Sequence, residues 1–316
     1  MKSAPTLLTI TLNPAVDRNY EIPGFQRGGV HVAANVSVTA GGKGINVARV
    51  WQTLGGKAIA TGFVGGTTGD FIVSGATAEG IACDFVRISD NTRMALILED
   101  GEAHHELIVN ERGPSATADE QSAFLERLPT LLRGVDFVAI CGSAPVGVPP
   151  EFYGLMVTAA RSAGAVVLLD AAGDNLRCGT MARPNVVKPN RDEATGLGAV
   201  IDHWGSAARE ALKLSERYGI ESVLVSGGGD GAVIAGDREA WAAGSPAINV
   251  VSTIGCGDSM AAGMLWGLAK SDGDRASALR WAVAAGTANA LTAGAGYVSF
   301  SDILSIWGKI DCTKLA

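Results

Sequence analysis

The sequence has little cysteine and no long apolar run, and each of these absences excludes a class of protein. It has 5 cysteines among 316 residues, at wide spacings and without a C-x-x-C pair. A disulfide framework or a cysteine-based zinc site is therefore not expected. No apolar stretch approaches the roughly 18 residues of a membrane helix, and the short N-terminal run is broken by Thr and Asn. We expect no signal peptide, no contact with a membrane and a cytoplasmic location.

Basic residues are scarce relative to acidic ones. The 25 Lys and Arg against 32 Asp and Glu give a formal net charge of −7. Nucleic acid is therefore not an expected partner, because phosphate backbones select basic surfaces. By contrast, hydrophobic residues make up 47% and mean hydropathy is +0.23, which predicts a sizeable buried core. The 42 glycines predict tight turns and close backbone approaches.

Short apolar runs alternate with helical periodicity over most of the chain. Runs at 135–141 and 166–170 are typical of buried strands, and a helical pattern at 151–163 separates them. Repeated alternation of this kind predicts an α/β fold with a doubly wound, mostly parallel sheet, in a single domain over 1–316. The Val- and Thr-rich stretches at about 18–40 and 92–110 do not fit this sheet. They predict antiparallel strands that form a small β-sheet lid.

The most informative segment opens an apolar helix after a strand-like run at 248–251. Its glycines allow the amides of Gly255, Cys256 and Gly257 to converge. The helix N-terminus adds partial positive charge, so this turn can hold an anion. Asp258 beside it can accept the proton of an attacking hydroxyl during phosphoryl transfer. A simple helix-capping role for the aspartate is the alternative.

A second glycine cluster, Gly41 and Gly42, precedes another predicted helix and is followed by Lys43 and Asn46. Glycines allow a polyhydroxylated ligand to approach closely, and an asparagine amide can both donate to and accept from its hydroxyls. The cluster is not a Walker A loop, because Gly44 follows the lysine where Ser or Thr is required. The alternative is a glycine-rich helix entry with a solvated lysine.

Three further loops follow predicted strands, at the edge where open α/β sheets bind ligands. Asp17 is placed there to bind sugar hydroxyls, although a turn aspartate is the alternative. Asn190 and Glu193 can orient waters around Mg²⁺, or form an ordinary helix cap with an acidic first turn. The loop from Ser226 to Gly231 either passes close to a nucleotide or enters a hairpin.

Two patterns indicate other kinds of site, a nucleophile elbow and a metal site, and both are rejected. The residues around Ser259 resemble a nucleophile elbow, but all four histidines precede this serine, whereas the histidine of such a triad follows it. His104 and His105 are adjacent, so on a strand they would face opposite sides and would not share a metal ion. An early G-x-G-x-x-G is also absent, which disfavours an NAD(P)-linked oxidoreductase.

Together these segments resemble the ribokinase/PfkB family of carbohydrate kinases, and most closely its phosphosugar branch. That branch contains 1-phosphofructokinases, tagatose-6-phosphate kinases and 6-phosphofructokinase-like enzymes. The resemblance covers nearly the whole chain, and the motifs occur in the order of the family. They are TLNPAVD (11–17), AGGKGINVARV (40–50), TGFVGG (61–66), NTR (91–93), NERGP (110–114), CGSAPVG (141–147), VKPNRDE (187–193), SGGGDGA (226–232) and TIGCGDSMAAG (253–263).

The resemblance implies a phosphotransferase that uses ATP, Mg²⁺ and a monovalent cation to phosphorylate a hydroxyl of a sugar or sugar phosphate. It also implies a homodimer formed through the lid. The implied roles are as follows: Asp258 as catalytic base, with Gly255, Cys256 and Gly257 as the anion hole; Asp17, Gly41, Gly42, Lys43, Asn46, Arg93 and Asn110 around the sugar, with Arg93 at its phosphate; Lys188, Asn190, Ser226, Gly228, Gly231 and Asn289 near the nucleotide; and Asn190 with Glu193 around Mg²⁺, through water.

Three departures from the family pattern leave the substrate open. Cys256 stands where the family usually has Ala. Val32 stands where the branch often has an Arg that touches the substrate phosphate, and 107–109 replaces a common Thr-Glu-Ile. One alternative is therefore a kinase of an unphosphorylated sugar or nucleoside. The other is a catalytically inactive sugar-phosphate-binding regulator.

The cysteine at position 256 leads to a separate hypothesis about thiol reactivity. A thiol at a helix N-terminus tends to have a lowered pKa and raised reactivity. The sequence therefore predicts that alkylation of Cys256 blocks activity and that ATP protects the thiol.

Overall fold

The computed structural model describes residues 4–26, 28–100 and 105–315, without the side chain of His105. His104, considered above, lies outside the described residues, as do positions 27 and 101–103 of the two stretches expected to form a lid.

The described residues form strands and helices that alternate along most of the chain. The strands are β1 (Thr6–Thr11), β2 (Ala15–Glu21), β3 (Asn35–Gly41), β4 (Lys57–Val64), β5 (Ala82–Cys83), β6 (Val86–Arg87), β7 (Arg93–Asp100), β8 (His105–Asn110), β9 (Phe137–Cys141), β10 (Val166–Asp170), β11 (Val186–Val187), β12 (Ser222–Ser226), β13 (Ala232–Gly236), β14 (Glu239–Ala243) and β15 (Cys312–Lys314). The helices are α1 (Lys43–Thr53), α2 (Gly66–Ala78), α3 (Ala118–Leu131), α4 (Glu151–Ser162), α5 (Gly173–Met181), α6 (Arg191–Gly196), α7 (Ala207–Tyr218), α8 (Cys256–Lys270), α9 (Arg275–Asn289) and α10 (Phe300–Trp307).

The large sheet has the strand order β15-β14-β13-β12-β11-β10-β9-β1-β4-β5, with β6 also paired to β4. Its strands are parallel from β5 to β12, and β13–β15 add an antiparallel end. The expected doubly wound, mostly parallel sheet is therefore confirmed. Right-handed crossovers place helices on both faces of such a sheet, so its central strands β9, β10 and β11 are buried on both sides, whereas β5 and β15 at its ends are partly exposed.

Two hydrophobic clusters cover the two faces of the large sheet. On one face Trp51 of α1 is fully buried and packs edge-on against Trp266 of α8, with ring centroids 5.3 Å apart. On the other face Phe124 of α3 packs against Phe152 of α4 at 5.8 Å. Aromatic pairs at such distances stabilise by about 0.5–1.5 kcal/mol beyond the area they bury.

Glycines let α8 and α9 pack very closely. A Cβ at Gly263 would lie 2.4 Å from the carbonyl oxygen of Trp281, and one at Gly267 would lie 2.4 Å from Cα of Ala278. These two positions are one helical turn apart and therefore share one face of α8. The close packing fixes the axis of α8, whose N-terminus carries the anion-binding turn predicted above.

A second, small sheet has the order β3-β2-β7-β8. Its β2–β3 and β7–β8 pairs are antiparallel and its β2–β7 pair is parallel. The sequence pattern found these strands, although it extended the first stretch across 22–26 and 28–34, where no strand forms. The small sheet leaves large apolar side chains exposed, at Val36, Val38, Leu107 and Val109.

The strand-like run at 248–251 was misread, because it forms no strand. The amide of Val251 donates instead to the carbonyl of Ala290, at the end of α9 (2.7 Å). Val250 and Val251 are 45% and 54% exposed. This segment is therefore an irregular connection that leads into α8.

Candidate active site

The turn into α8 adopts a conformation that requires glycine. Gly255 precedes the helix in the left-handed region, at φ 81°, and a Cβ there would lie 2.6 Å from Ala295. The amide of Cys256 donates to the carbonyl of Thr253 (3.3 Å). The first-turn amides of a helix otherwise have no intrahelical acceptor, so Gly257 and Asp258 offer N–H groups where partial positive charge favours an anion.

Asp258 joins this turn to the start of α1. Its Oδ2 accepts a hydrogen bond from Nδ2 of Asn46 at 2.9 Å, and it is buried. Burial raises the pKa of Asp258 to about 6; nearby Lys43 lowers it and Asp170 raises it. The two glycine-rich turns of the sequence analysis therefore meet at one buried carboxylate that titrates near neutral pH.

Asp170, at the end of β10, binds two lysines of this centre. Its Oδ1 lies 2.9 Å from Nζ of Lys43 and its Oδ2 lies 3.0 Å from Nζ of Lys188. Burial alone would raise the pKa of Asp170, but the two ammonium groups lower it below its usual value, and Asp170 in turn raises the pKa of Lys43. No local motif marks Asp170 as a site residue. The available signal was its place at the carboxyl end of a buried parallel strand.

Arg49, also not predicted as a site residue, fixes the orientation of Asn46. Its Nη1 donates to Oδ1 of Asn46 at 3.0 Å, which leaves the amide nitrogen of Asn46 to face Asp258. The guanidinium also pairs with Glu79 through two hydrogen bonds, at 2.8 and 3.1 Å, and donates to the carbonyl of Ala295 at 2.7 Å. A buried amide whose two ends are both bonded has one favoured orientation.

A cavity of about 640 Å³ lies between the small sheet and the large one. Six residues that the sequence analysis placed around a sugar line it, namely Asp17, Gly42, Lys43, Asn46, Arg93 and Asn110. We call it the first cavity. Gly41, also expected there, does not line it, but a Cβ at Gly41 would lie 1.9 Å from Oδ2 of Asp17. Its lack of a side chain therefore makes room for that carboxylate.

The polar groups of the first cavity carry both charge signs. Burial raises the pKa of Asp17 to about 6, with Arg93 lowering it and Asp258 raising it. Arg93 donates from Nε to the carbonyl of Asn13 (3.2 Å) and from Nη1 to Oδ1 of Asn110 (3.1 Å). These bonds hold the guanidinium in place and leave Nη2 for a ligand in the cavity.

A second cavity, of about 520 Å³, lies on the other side of the turn into α8. Ser226 and Gly228 line it, together with Thr253, Cys256 and Gly257. Much of the remaining wall is apolar, and its members include Ile248, Val250 and Met260. The turn that ends at Asp258 therefore separates a charged cavity from a mostly apolar one.

Four residues expected near the nucleotide do not line the second cavity, and Asn190, described below, is one of them. Lys188 is 3% exposed and lies behind Gly257, with Nζ 3.6 Å from where a Cβ of that glycine would be. Gly231 makes room for the backbone of the β13–β14 hairpin, because its Cβ would lie 2.0 Å from the carbonyl of Ala243. Asn289, also expected near the nucleotide, is fully buried.

Asn289 instead braces the turn into α8 from behind. Its Nδ2 donates to the carbonyl of Ile254 at 2.7 Å, and its Oδ1 accepts from Gly296 N (2.7 Å) and from Ser259 Oγ (2.9 Å). Ser259 is fully buried, which agrees with setting aside the nucleophile elbow.

The family to which the chain belongs follows from comparison with known proteins. Residues 7–302 match the pfkB family of carbohydrate kinases. The chain belongs to this family. Phosphofructokinase-2 from Escherichia coli, in complex with potassium, has a TM-score of 0.89 and 27% identity, over 96% of this chain and 99% of that one. A possible 1-phosphofructokinase from Thermotoga maritima has the same TM-score and identity, over 98% and 100%.

Membership of the pfkB family makes the chain a phosphotransferase whose acceptor is an alcohol group of a carbohydrate, and the family implies ATP and Mg²⁺. Among the described residues no helix is long and apolar enough to cross a membrane. Nor does any group of three or more His, Cys, Asp or Glu side chains there have the arrangement of a metal site.

Asn190 and Glu193 form a reciprocal cap at the start of α6. Oδ1 of Asn190 accepts from the amide of Glu193, and Oε2 of Glu193 accepts from the amide of Asn190, both at 2.8 Å. The capping alternative weighed in the sequence analysis is thus present. Glu193 also lines the first cavity, and its other carboxylate oxygen takes no part in the cap.

The predicted lowering of the Cys256 pKa was wrong. Burial raises the pKa of this thiol to about 11; a hydrogen bond from Asn289 lowers it, while Asp258 and Glu106 raise it further. The lowering of the thiol pKa by the helix N-terminus is therefore outweighed by burial and by two nearby carboxylates. The local sequence shows neither of these effects.

Because the thiolate is the nucleophile, we expect Cys256 to react slowly with iodoacetamide at neutral pH, and the rate to keep rising towards pH 11. Mass spectrometry of the peptide that contains Cys256, after timed labelling between pH 6 and 10, measures this rate. The C256A variant identifies the labelled peptide. A rate that levels off below pH 8 would contradict the expectation.

Proposed function

We propose that the chain transfers the γ-phosphoryl group of ATP to a hydroxyl of a sugar phosphate of the fructose 1-phosphate, fructose 6-phosphate or tagatose 6-phosphate class. One observation carries this proposal: a charged cavity, lined by Asn46, and a mostly apolar one, lined by Cys256 and Gly257, lie on either side of the turn that carries the buried Asp258. A second supports the substrate class, since E. coli phosphofructokinase-2 has been solved with fructose-6-phosphate.

In this proposal Asp258 is the catalytic base. A carboxylate with a pKa of about 6 is ionised at neutral pH and is a stronger base than an exposed aspartate. The acceptor hydroxyl, bound in the first cavity by Asp17, Gly42 and Asn46, gives its proton to Asp258 while its oxygen attacks the γ-phosphorus of ATP. The bond between that phosphorus and the β–γ bridging oxygen breaks, and ADP leaves. The amides of the turn into α8 and the ammonium group of Lys43 then stabilise negative charge on the transferred group.

The second cavity is the proposed nucleotide site. Its apolar wall suits a base, and Ser226 and Gly228 lie at its rim. Asn190 and Glu193 would hold Mg²⁺ through water, and that ion would neutralise phosphate charge. We extend the proposal to a monovalent cation, which rests on the potassium complex of E. coli phosphofructokinase-2.

The small sheet is the proposed lid and dimer surface. It supplies Arg93 and Asn110 to the first cavity, so it can exclude water from the reacting groups. The apolar side chains of its exposed face, from Val36 to Val109, suit a second copy of the same face. E. coli phosphofructokinase-2 has a tetrameric inhibited form.

Loss of the base should remove turnover and leave binding. We expect D258N to lower kcat by roughly 10²–10⁴-fold, with little change in KM, because an amide oxygen can still accept the hydrogen bond from Asn46. A coupled ADP-release assay measures this. D119N is the matched control, since Asp119 also lies in a helix first turn but is exposed and lines neither cavity. Turnover of D258N within tenfold of the wild type would exclude the assigned role.

The pH profile should show the same base. A base acts only when it is deprotonated, so we expect log(kcat/KM) to be flat above pH 7 and to fall below a pH of about 6, the pKa of Asp258 and of Asp17. D17N should retain one such acid limb, because Asp258 remains. A wild-type profile that stays flat down to pH 5 would contradict it.

The substrate class is tested by comparing the three sugar phosphates with free sugars and nucleosides as acceptors. We expect turnover with a sugar phosphate, and R93A to raise its KM by roughly 10- to 100-fold, since hydrogen bonds to charged groups stabilise by about 1.5–3 kcal/mol. R18A, in neighbouring β2 but outside the cavity lining, should leave KM unchanged. Turnover confined to free sugars or nucleosides would favour the first alternative, and no ATP consumption with any acceptor would favour an inactive regulator.

A further inference from the structure

Glu106 in β8 binds the segment that leads into α8, 146 residues further along the chain. Its Oε1 accepts from Oγ of Ser252 at 2.8 Å and from the amide of Thr253 at 3.3 Å. Its Oε2 accepts from Oγ1 of Thr253 at 3.2 Å. Three donors from two adjacent residues therefore hold a single carboxylate of the small sheet.

On the β8 side, this carboxylate shares a strand face with the first cavity. Glu106, Ile108 and Asn110 alternate along the strand and therefore point to the same side. Ile108 and Asn110 line the first cavity. A ligand that contacts this face of β8 therefore also acts on the strand that carries Glu106.

On the α8 side, Thr253 reaches both the second cavity and the anion-binding turn. It lines the second cavity, and its carbonyl accepts from the amide of Cys256 at 3.3 Å. Ser252 is 3% exposed, and its Oγ accepts from the amide of Ile254 at 3.3 Å. The segment bonded to Glu106 is thus connected to the turn by hydrogen bonds as well as by the chain.

A carboxylate is disfavoured at this position by its surroundings. Glu99 in β7 lies directly opposite Glu106 in the β7–β8 register, and like charges in such a pair are destabilising. Burial, then Glu106 and Glu21, raise the pKa of Glu99. Three hydrogen bonds hold the Glu106 carboxylate at this position despite the like charge opposite it.

We propose that Glu106 is a positioning residue that couples the two cavities, by holding Ser252 and Thr253 to the small sheet. The proposal rests on the proposed function, because it assigns the first cavity to the sugar and the second to the nucleotide. Sugar contact with β8 then favours the conformation of residues 252–257 that binds the nucleotide phosphates. Nucleotide contact with Thr253 favours the position of β8 that holds the sugar.

The test compares wild type, E106A, E106Q and the matched control E99A. Calorimetry measures the affinity for the non-hydrolysable nucleotide AMP-PNP, with and without saturating fructose 6-phosphate, and initial rates give kcat. We expect E106A to lose the mutual enhancement of the two ligands and to lower kcat by about tenfold or more, because small displacements of catalytic groups are costly. E106Q should recover most of both, since an amide oxygen still accepts from Ser252 Oγ and Thr253 N. E99A should behave as the wild type.

Two results would overturn the coupling role. One is an E106A enzyme whose coupling and kcat both stay within twofold of the wild type. The other is an equal loss in E99A, which would assign the effect to charge and not to these bonds. Thermal unfolding of each variant separates misfolding from either result. If E106A does not fold, S252A replaces it, because this change removes one of the three donors to Glu106 and should weaken the coupling.

Failure of the proposed function is distinguishable from failure of the coupling role. It would appear as a wild-type enzyme that phosphorylates none of the three sugar phosphates. In that case hydrogen exchange of the free protein tests Glu106 alone. Faster exchange of the amides at 253–258 in E106A, restored in E106Q, supports the positioning role. Unchanged exchange overturns it.

Discussion

The hydrogen bond from Asn46 to Asp258 joins the first turns of α1 and α8, and the arrangement of both cavities depends on it. Two helix N-termini point at one place, so their partial positive charges add where an anion would sit. A buried carboxylate is costly without partners, and here Asn46 supplies one that Arg49 holds in a fixed orientation. The bond therefore keeps a charge at the junction of the cavities and sets the distance between the two glycine-rich turns.

The centre contains two buried aspartates that differ in their partners. Asp170 has both ammonium groups, and although burial favours its neutral form, Lys188 and Lys43 lower its pKa. Asp258 has an amide and a helix N-terminus, and burial raises its pKa to about 6. Carboxylates whose surroundings separate their pKa values in this way can take different roles. Asp170 is suited to remain a counter-ion that positions two lysines, and Asp258 to exchange a proton.

The sequence predicted the sheet, the small sheet's strands and six residues, expected around a sugar, that line the first cavity. Glycines that precede helices and polar residues at strand ends are local signals, and Gly42, Asn46 and Asp258 were found from them. The rest depends on contacts between distant segments. Asp170 and Arg49 look like an ordinary strand end and a helix interior until the fold brings lysines and Asn46 beside them. Cys256 was misjudged for the same reason, because Glu106 lies 150 positions away in sequence and burial is set by the whole fold.

The small sheet is tied to both helix N-termini of the centre, by different means. Strand β3 ends at Gly41 and α1 begins at Lys43, so that connection is covalent and one residue long. The connection to α8 consists of the hydrogen bonds of Glu106 to Ser252 and Thr253. By contrast, α8 is fixed on its other side by close packing on α9 and by the bonds of Asn289. A shift of the small sheet therefore acts on the turns at the reacting centre more readily than on the helices behind them, which suits a site that rearranges around its ligands while its base stays in place.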